Sequence, residues 1–202
     1  MPLKVLVAFY SRNGTIESLA RSAAEGAQAE GAEVRMRRAR EVVGKDVMAN
    51  APGWVENADR MNAEYEAPTA ADAEWANAII FGTPSRFGSV CAELKSYIDG
   101  LGGLWAQGKL TDKAATILSA SSTLHGGNEM TIMSLYAPVS HLGMIIVPLG
   151  YTDPLLYKAG TPYGATAATG RGDERRLPND TEKAVAYYQG QRLARIAAKL
   201  TA

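Results

Sequence analysis

The first residues whose types and spacing suggest chemistry form a short polar loop. It consists of Ser11, Arg12, Asn13, Gly14, Thr15 and Ile16, and it separates an apolar run at 4–10 from an amphipathic segment at 14–30. A helix that begins where a central strand ends has unpaired N–H groups and a partial positive charge, both of which favour a phosphate. The hydroxyls of Ser11 and Thr15 add donors, and Gly14 lets the backbone approach closely. The loop therefore predicts a phosphate site.

A simpler alternative stays open for this loop. Ser11 or Asn13 could cap the following helix and bind nothing, because Ser and Asn are common N-cap residues. The spacing matches neither the G-x-G-x-x-G of dinucleotide folds nor the Gly-Lys-Ser/Thr of P-loop enzymes. If the loop binds a ligand, the pattern favours a mononucleotide phosphate.

Two more polar, glycine-rich loops each follow an apolar run. The first spans residues 82–88 and contains Ser85, Arg86 and Phe87. A turn stiffened by proline, beside a guanidinium and an aromatic ring, suits a planar heteroaromatic ligand, although a tight turn without a ligand explains it equally well. The second loop contributes Ser121, Ser122, Thr123, Leu124, His125, Gly126 and Gly127. Three such loops after three successive strands favour one shared ligand site.

Other reactive residue types do not form a recognisable catalytic group. His125 and His141 are the only histidines and have no cysteine or carboxylate cluster beside them, so no metal site is expected. Cys91 has no neighbouring base, which favours a structural role over a nucleophilic one. No G-x-S-x-G motif indicates an acyl-transfer hydrolase. Trp105 stands in a glycine-containing segment predicted to be flexible, where a core or interface position is the simpler interpretation.

The elements that must position these loops alternate between strand and helix. Apolar runs at 4–10, 78–81, 114–119 and 144–147 predict four strands, and alternation of apolar and charged residues at 32–37 predicts a fifth at the edge of the sheet. Helical periodicity follows in segments such as 14–30 and 185–200. The alternation predicts parallel pairing in an α/β fold, a three-layer αβα sandwich with the flavodoxin-like strand order 2-1-3-4-5. Ligands of such sheets bind beyond the carboxyl ends of the strands. Residues 40–70 and 150–180 are expected to be irregular loops within a single domain, 1–202.

Composition narrows the functional class further. The 21 lysines and arginines balance the 21 aspartates and glutamates, so neither nucleic acid nor an anionic membrane is an expected partner. One cysteine excludes an internal disulfide and suits a reducing cytoplasm. No apolar run is long enough for a transmembrane helix, and the first residues do not form a signal peptide. We expect a cytoplasmic protein that binds its anionic ligand locally.

Together these motifs resemble the flavodoxin-like NAD(P)H:quinone oxidoreductases of the WrbA family, along nearly the whole chain. The segments that carry the resemblance are residues 11–16, 82–88, 102–105, 125–129, 141–144, 160–165 and 188–190. The resemblance implies bound FMN, two-electron reduction of a quinone by NADH or NADPH, and a homotetramer (a dimer of dimers) whose active sites combine residues of neighbouring subunits. Because the flavin carries the chemistry, no catalytic side chain is predicted.

Residue roles follow from the same resemblance. It places the FMN phosphate at residues 11–16, the isoalloxazine near Ser85, Arg86 and Phe87, further FMN contacts at 121–127 and at His141, and the substrate against Trp105. Two positions depart from the family pattern. Asn13, which is expected to bind substrate together with Trp105, stands where typical members have an aromatic residue that helps bind the nicotinamide nucleotide, so the affinity for NADH or NADPH and the choice between them stay open. Leu142 stands where some members carry a second histidine.

Three other functions fit the same fold. A one-electron carrier of the flavodoxin type is usually strongly acidic, and this chain has no net charge. A redox-linked scaffold or regulatory protein would keep the fold without turnover. An azo- or nitro-reducing enzyme would differ only in its final acceptor. The favoured hypothesis is a quinone oxidoreductase with ping-pong turnover at one site.

Overall fold

A six-stranded parallel sheet forms the centre of the molecule. The structure is a computed structural model and describes residues 2–201. Its strands are β1 (Lys4–Phe9), β2 (Glu33–Arg38), β3 (Ala78–Pro84), β4 (Ala114–Ser121), β5 (Ile145–Ile146) and β6 (Thr166–Ala168). The main path runs β2-β1-β3-β4-β5, and β6 pairs with β4 beside it. The predicted order of the first five strands is confirmed, and β2 is the edge strand that its alternating pattern indicated.

The sixth strand is a correction to the irregular loop predicted for 150–180. β5 pairs with Ala114 and Ala115 at the start of β4, whereas β6 pairs with residues 119–121 at its end. Both lie on the side of β4 away from β3, so together they form one interrupted edge. Thr166, Ala167 and Ala168 are too short and too small a run to produce a strand pattern in the sequence.

Eight α-helices surround the sheet in the described residues. They are α1 (Thr15–Ala29), α2 (Lys45–Met48), α3 (Trp54–Glu64), α4 (Ala70–Trp75), α5 (Ala92–Asp99), α6 (Gly102–Ala106), α7 (Asn128–His141) and α8 (Asp180–Leu200). Two short 3-10 helices, Pro154–Tyr157 and Gly172–Glu174, lie in the long loop around β6.

The helices α2, α3, α4 and α6 correct two sequence predictions. Residues 40–70 contain α2 and α3 and end at the start of α4, so about half of this segment is helical, and the segment with Trp105 is a short helix. In α3 the apolar residues Trp54, Ala58 and Met61 follow helical spacing, a signal that the prediction of an irregular loop did not use. The start of α4 is fixed by a capping box between Thr69 and Asp72.

Side chains of β1 alternate between two cores, which accounts for the three layers. Val5, Val7 and Phe9 pack into the core that contains α1 and α8. Leu6 and Ala8 pack into the core on the other face, with α5 and α7. A strand covered on both faces reads as one continuous apolar run, as β1 does. Across residues 2–201, no helix combines the length and the apolar character needed to cross a bilayer.

Candidate functional site

The carboxyl ends of β1, β3 and β4 surround a cavity of about 450 Å³. Its walls are Ser11, Arg12, Asn13, Thr15, Ile16, Pro84, Ser85, Arg86, Phe87, Ala120, Ser121, Ser122, Thr123, Gly126, Thr169, Arg171 and Arg175. All three polar loops singled out in the sequence contribute to it. Parallel strands bring their carboxyl ends to one edge of the sheet, so three separate loops meet there.

The loop between β1 and α1 leaves the start of α1 open to a ligand. Gly14 is the N-cap residue, with φ of 82°, and no side chain makes a capping hydrogen bond there. Capping by Ser11 or Asn13, the alternative considered from sequence, is therefore wrong. The Ser11 hydroxyl is buried and has no hydrogen-bond partner among residues 2–201. A buried donor without a partner is costly, and a phosphate oxygen would satisfy it.

Arg38 supports this loop from below. Its side chain is fully buried, and it donates from Nη2 to the Ser11 carbonyl oxygen at 3.0 Å. It also forms an ion pair with Glu41. Burial raises the pKa of the Glu41 carboxyl, but the hydrogen bond and charge of Arg38 outweigh it, so the pKa lies below its usual value. No sequence pattern connects Arg38, at the end of β2, with the phosphate loop.

The loops after β3 and β4 are tied to each other. The Ser85 hydroxyl donates to the Gly126 carbonyl oxygen at 2.8 Å, and the Ser85 N–H donates to the Ala120 carbonyl oxygen at 2.8 Å. Gly127 has φ of 81°, and a Cβ there would meet the Gly88 Cα at 3.0 Å. Phe87 is fully exposed and has φ of 55°, so its ring stands out from the protein at the cavity's edge.

Some residues predicted for the site do not line this cavity. Gly14 lies between two lining residues, Asn13 and Thr15, but is not itself part of the wall. Leu124 is mostly exposed, and neither it nor His125 nor Gly127 lines the cavity. Trp105 and His141 instead share a different groove, beside Lys95, Ile98, Asp99, Gly102, Pro138 and Leu142. Within one chain, the structure therefore does not bring Trp105 and His141 to the cavity.

Besides Pro84 and Ala120, which belong to β3 and β4, three residues of the wall were missed from the sequence: Thr169, Arg171 and Arg175. They reach the cavity because β6 pairs with the end of β4. The Thr169 N–H donates to the Ser121 carbonyl oxygen at 3.0 Å, and the next N–H, at Gly170, donates to Ser122 at 2.9 Å. The only available signal was the concentration of arginines at 171–176, whose position could not be inferred without β6.

The wall of the cavity is electrostatically one-sided. It contains four arginines (Arg12, Arg86, Arg171 and Arg175) and no carboxylate. Burial, followed by the charges of Arg86 and Arg175, lowers the pKa of the Arg12 guanidinium, although Tyr10 opposes this. The uncapped start of α1 and the unsatisfied Ser11 hydroxyl form a donor set that fits the phosphate of a flavin mononucleotide, and the four arginines make the cavity as a whole favourable to anions.

Comparison with known proteins also indicates an FMN-binding protein. The family model of NADPH-dependent FMN reductases matches residues 1–152. The chain belongs to this family. It is also 40% identical over 200 residues to a protein of Deinococcus radiodurans named NAD(P)H dehydrogenase (quinone), with 98% of each chain covered.

Solved structures of other proteins share the fold of this member of the FMN reductase family. A WrbA-like flavodoxin of Agrobacterium tumefaciens superposes with a TM-score of 0.66 at 23% identity, covering 98% of both chains. A flavodoxin from the domain Archaea gives a TM-score of 0.62 at 12% identity, covering 97% of this chain and 99% of the other. The resemblance recognised in the motifs, the flavodoxin-like fold and the assignment to FMN-linked NAD(P)H dehydrogenases (quinone) are confirmed.

Proposed function

We propose that this protein is an FMN-dependent NAD(P)H:quinone oxidoreductase in which NAD(P)H and the quinone use one site in turn. The observation that carries the proposal is the cavity at the ends of β1, β3 and β4, which is lined both by the donor set of the first loop and by the Ser85 to Phe87 turn. Bound FMN would supply the redox chemistry, taking a hydride equivalent from NAD(P)H and giving two electrons to a quinone.

The residues of the first loop would hold the phosphate of FMN. Ser11 and Thr15 would donate from their hydroxyls and the first turn of α1 from its N–H groups, with Arg12, Asn13, Gly14 and Ile16 completing the loop. Arg38 keeps the Ser11 carbonyl in place. A charged acceptor makes each of these hydrogen bonds contribute about 1.5–3 kcal/mol.

The other two loops would position the ring system. Ser85 fixes the separation of the β3 and β4 loops through Gly126. Arg86, partly buried beside it, would stabilise negative charge that develops at the pyrimidine edge of the ring. Residues 121–127 would make further FMN contacts, His125 and Gly127 among them.

We infer that the active form is a homotetramer in which a neighbouring subunit completes the site. Trp105 is more than half exposed and shares its groove with His141, away from the cavity of its own chain. In a composite site these residues would cover the flavin ring of FMN bound to a neighbouring subunit, form one side of the position where the substrate stacks, and exclude water. Phe87, wholly exposed on a single chain, would be covered by the same contact. We also infer a cytoplasmic location, which suits the buried thiol of Cys91.

An anaerobic titration tests the proposed activity. FMN-loaded protein is titrated with NADH or NADPH while the visible flavin absorbance is followed, and benzoquinone is then added. We expect bleaching by a single two-electron step and full recovery on adding the quinone. Failure of both nucleotides to bleach the bound flavin would refute the enzyme assignment, and reduction through two separate one-electron stages would favour the carrier.

A ligand pair tests the assigned orientation of FMN. Ser11→Ala should weaken FMN binding about tenfold or more, because a hydrogen bond to a charged group is lost. Riboflavin has the same ring system without the phosphate, so its affinity should not change. Equal losses for both ligands would show that Ser11 does not contact the phosphate.

A further inference from the structure

Three arginines stand together at the rim of the cavity, on two segments distant in sequence. Arg12 comes from the loop after β1, and Arg171 and Arg175 flank the 3-10 helix Gly172–Glu174. Asp173 and Glu174 lie in that same turn but do not contribute to the cavity wall. All three arginines line the cavity, and no carboxylate is among the lining residues.

The segment that carries Arg171 and Arg175 is firmly attached to the fold. Arg176 donates from Nη1 and Nη2 to Glu182 at 2.6 and 2.9 Å, and its N–H donates to the Thr169 carbonyl oxygen at 2.8 Å. Glu182 belongs to the capping box that starts α8. Arg176 is thus occupied in holding the segment, while its neighbour Arg175 is left at the cavity.

Arg175 and Arg12 are each held in one position. In the amide orientation that satisfies its partners, Asn13 accepts from both terminal nitrogens of Arg175 at 2.6 and 2.7 Å and donates to the Arg12 carbonyl oxygen at 3.1 Å. The Arg12 guanidinium lies over the Trp54 ring, 3.6 Å from its centroid. Asn13 therefore fixes the Arg175 guanidinium against the backbone of the loop that carries Arg12. Prearranged guanidiniums lose little freedom when they bind an anion.

The charge of the cavity exceeds what one monophosphate needs. Four arginines line it, and a bound phosphate dianion would offset only two of their charges. In the proposed arrangement that phosphate lies at the start of α1, deeper than the exposed side chains of Arg171 and Arg175. The remaining charge at the rim calls for a second anion.

We propose that Arg12, Arg171 and Arg175 form an anion subsite that binds the phosphate groups of the nicotinamide dinucleotide. This inference rests on the proposed function, since it assigns a place to the co-substrate of that reaction. Both the diphosphate of NADH or NADPH and the additional 2′-phosphate of NADPH have the chemistry that such a subsite recognises.

The test compares FMN-loaded wild-type protein with Arg171→Gln, Arg175→Gln and the double variant. Arg195→Gln is the matched control, because it removes the same charge from an ion pair with Glu30 beside Leu3 at the opposite end of the sheet. Stopped-flow reduction gives the Kd and the limiting rate for NADPH and NADH. Calorimetry with 2′,5′-ADP and with ADP measures phosphate binding without the nicotinamide.

We expect the double variant to bind NADPH and 2′,5′-ADP at least about tenfold more weakly, because it loses hydrogen bonds to charged phosphate groups. The limiting rate and the FMN and riboflavin affinities should not change, and the effect should diminish at high salt. Losses for NADPH and 2′,5′-ADP alone would assign the subsite to the 2′-phosphate. Equal losses for NADH and ADP would assign it to the diphosphate.

Two results would overturn the subsite. Unchanged dinucleotide and fragment affinities would show that the arginines bind no co-substrate, and a loss of FMN affinity without a loss of riboflavin affinity would assign them to the flavin phosphate. The wild-type protein distinguishes a failure of the anion subsite from a failure of the proposed function. If neither nucleotide reduces its flavin, the proposed function fails; if it is reduced but the variants match it, only the subsite fails.

Discussion

A Cβ atom added at Gly190 would lie 1.9 Å from the carbonyl oxygen of Ala23. The relation is reciprocal, because a Cβ at Gly26 would lie 1.9 Å from the carbonyl oxygen of Tyr187. The helices α1 and α8 thus cross with their backbones in contact. Since α1 begins at the cavity, this crossing also fixes the position of the proposed phosphate site.

Gly190→Ala should destabilise the protein strongly. The added methyl group meets backbone and not a flexible side chain, so the two helices must separate. Overpacking typically costs about 1–3 kcal/mol, and a backbone clash belongs at or above the upper end. Urea unfolding followed by circular dichroism measures the change. FMN affinity should fall as well, because the start of α1 moves.

Gly103→Ala is the control for this prediction. Gly103 lies in α6, and a Cβ there would meet no heavy atom within 4 Å. Alanine favours a helix over glycine by up to about 1 kcal/mol, so this variant should be as stable as wild type or more so. Equal unfolding midpoints for the two variants would contradict the backbone contact between α1 and α8.

Arg38→Gln should weaken FMN binding although Arg38 does not line the cavity. Loss of its hydrogen bond releases the Ser11 carbonyl and leaves Glu41 unpaired in a buried position. We expect FMN affinity to fall about tenfold, comparable to one charged hydrogen bond, with a smaller loss for riboflavin. Quenching of flavin fluorescence on binding gives both values.

Arg35→Gln controls for removal of charge from the same strand. Arg35 pairs with Asp72 at 3.4 Å and stacks on Trp75, with no contact to the phosphate loop. It should therefore leave the ratio of FMN to riboflavin affinity unchanged. If Arg38→Gln lowers stability but keeps that ratio at its wild-type value, Arg38 does not position the loop.

The sheet order and the three loops could be predicted because local pattern determines them. The apolar runs of β1, β3 and β4 and the periodicity of α1 are carried by adjacent residues, and the rule for parallel sheets then places the following loops at one edge. The elements that were missed lack such a pattern. β6 has three small residues, and its strand conformation depends on pairing with β4.

The position of the rim arginines could not be predicted from the sequence either. Arg171 and Arg175 are more than 150 residues from Arg12, and they meet it only because β6 pairs with the end of β4. Arg176, next in the chain, has the same type and local surroundings yet binds Glu182. Neither composition nor spacing separates these roles, since each depends on a partner that only the tertiary fold supplies.

Cys91 should be unreactive in the native protein. Its side chain is fully buried, and burial raises the pKa of its thiol to about 11, opposed by the hydroxyl of Thr83. Because the thiolate is the nucleophile, alkylation by iodoacetamide at pH 8 should be slow in buffer and rapid in urea. Mass spectrometry of quenched samples measures both rates. Rapid labelling of native protein would restore the nucleophilic interpretation that the sequence did not favour.

Glu17 should make the stability of the protein depend on pH in the acid range. Burial raises the pKa of its carboxyl, but the hydrogen bond and charge of Arg60, the Tyr65 hydroxyl and Arg21 outweigh burial, so the pKa is lowered on folding. A carboxyl whose pKa is lowered on folding stabilises the native state above its unfolded pKa, about 4.3, and this contribution is lost as pH falls through the folded pKa.

Glu17→Gln separates this contribution from the rest of the acid transition. At pH 7 we expect the variant to be less stable by about 1–2 kcal/mol, a value reduced by the partial exposure of Arg60. The difference should decrease below pH 4.3 and approach zero once Glu17 is protonated in both states. Urea unfolding at a series of pH values measures it. Glu25→Gln, an exposed position on the same helix, should show no such trend, and a Glu17→Gln deficit that stays constant down to pH 3 would mean that its carboxylate charge does not contribute.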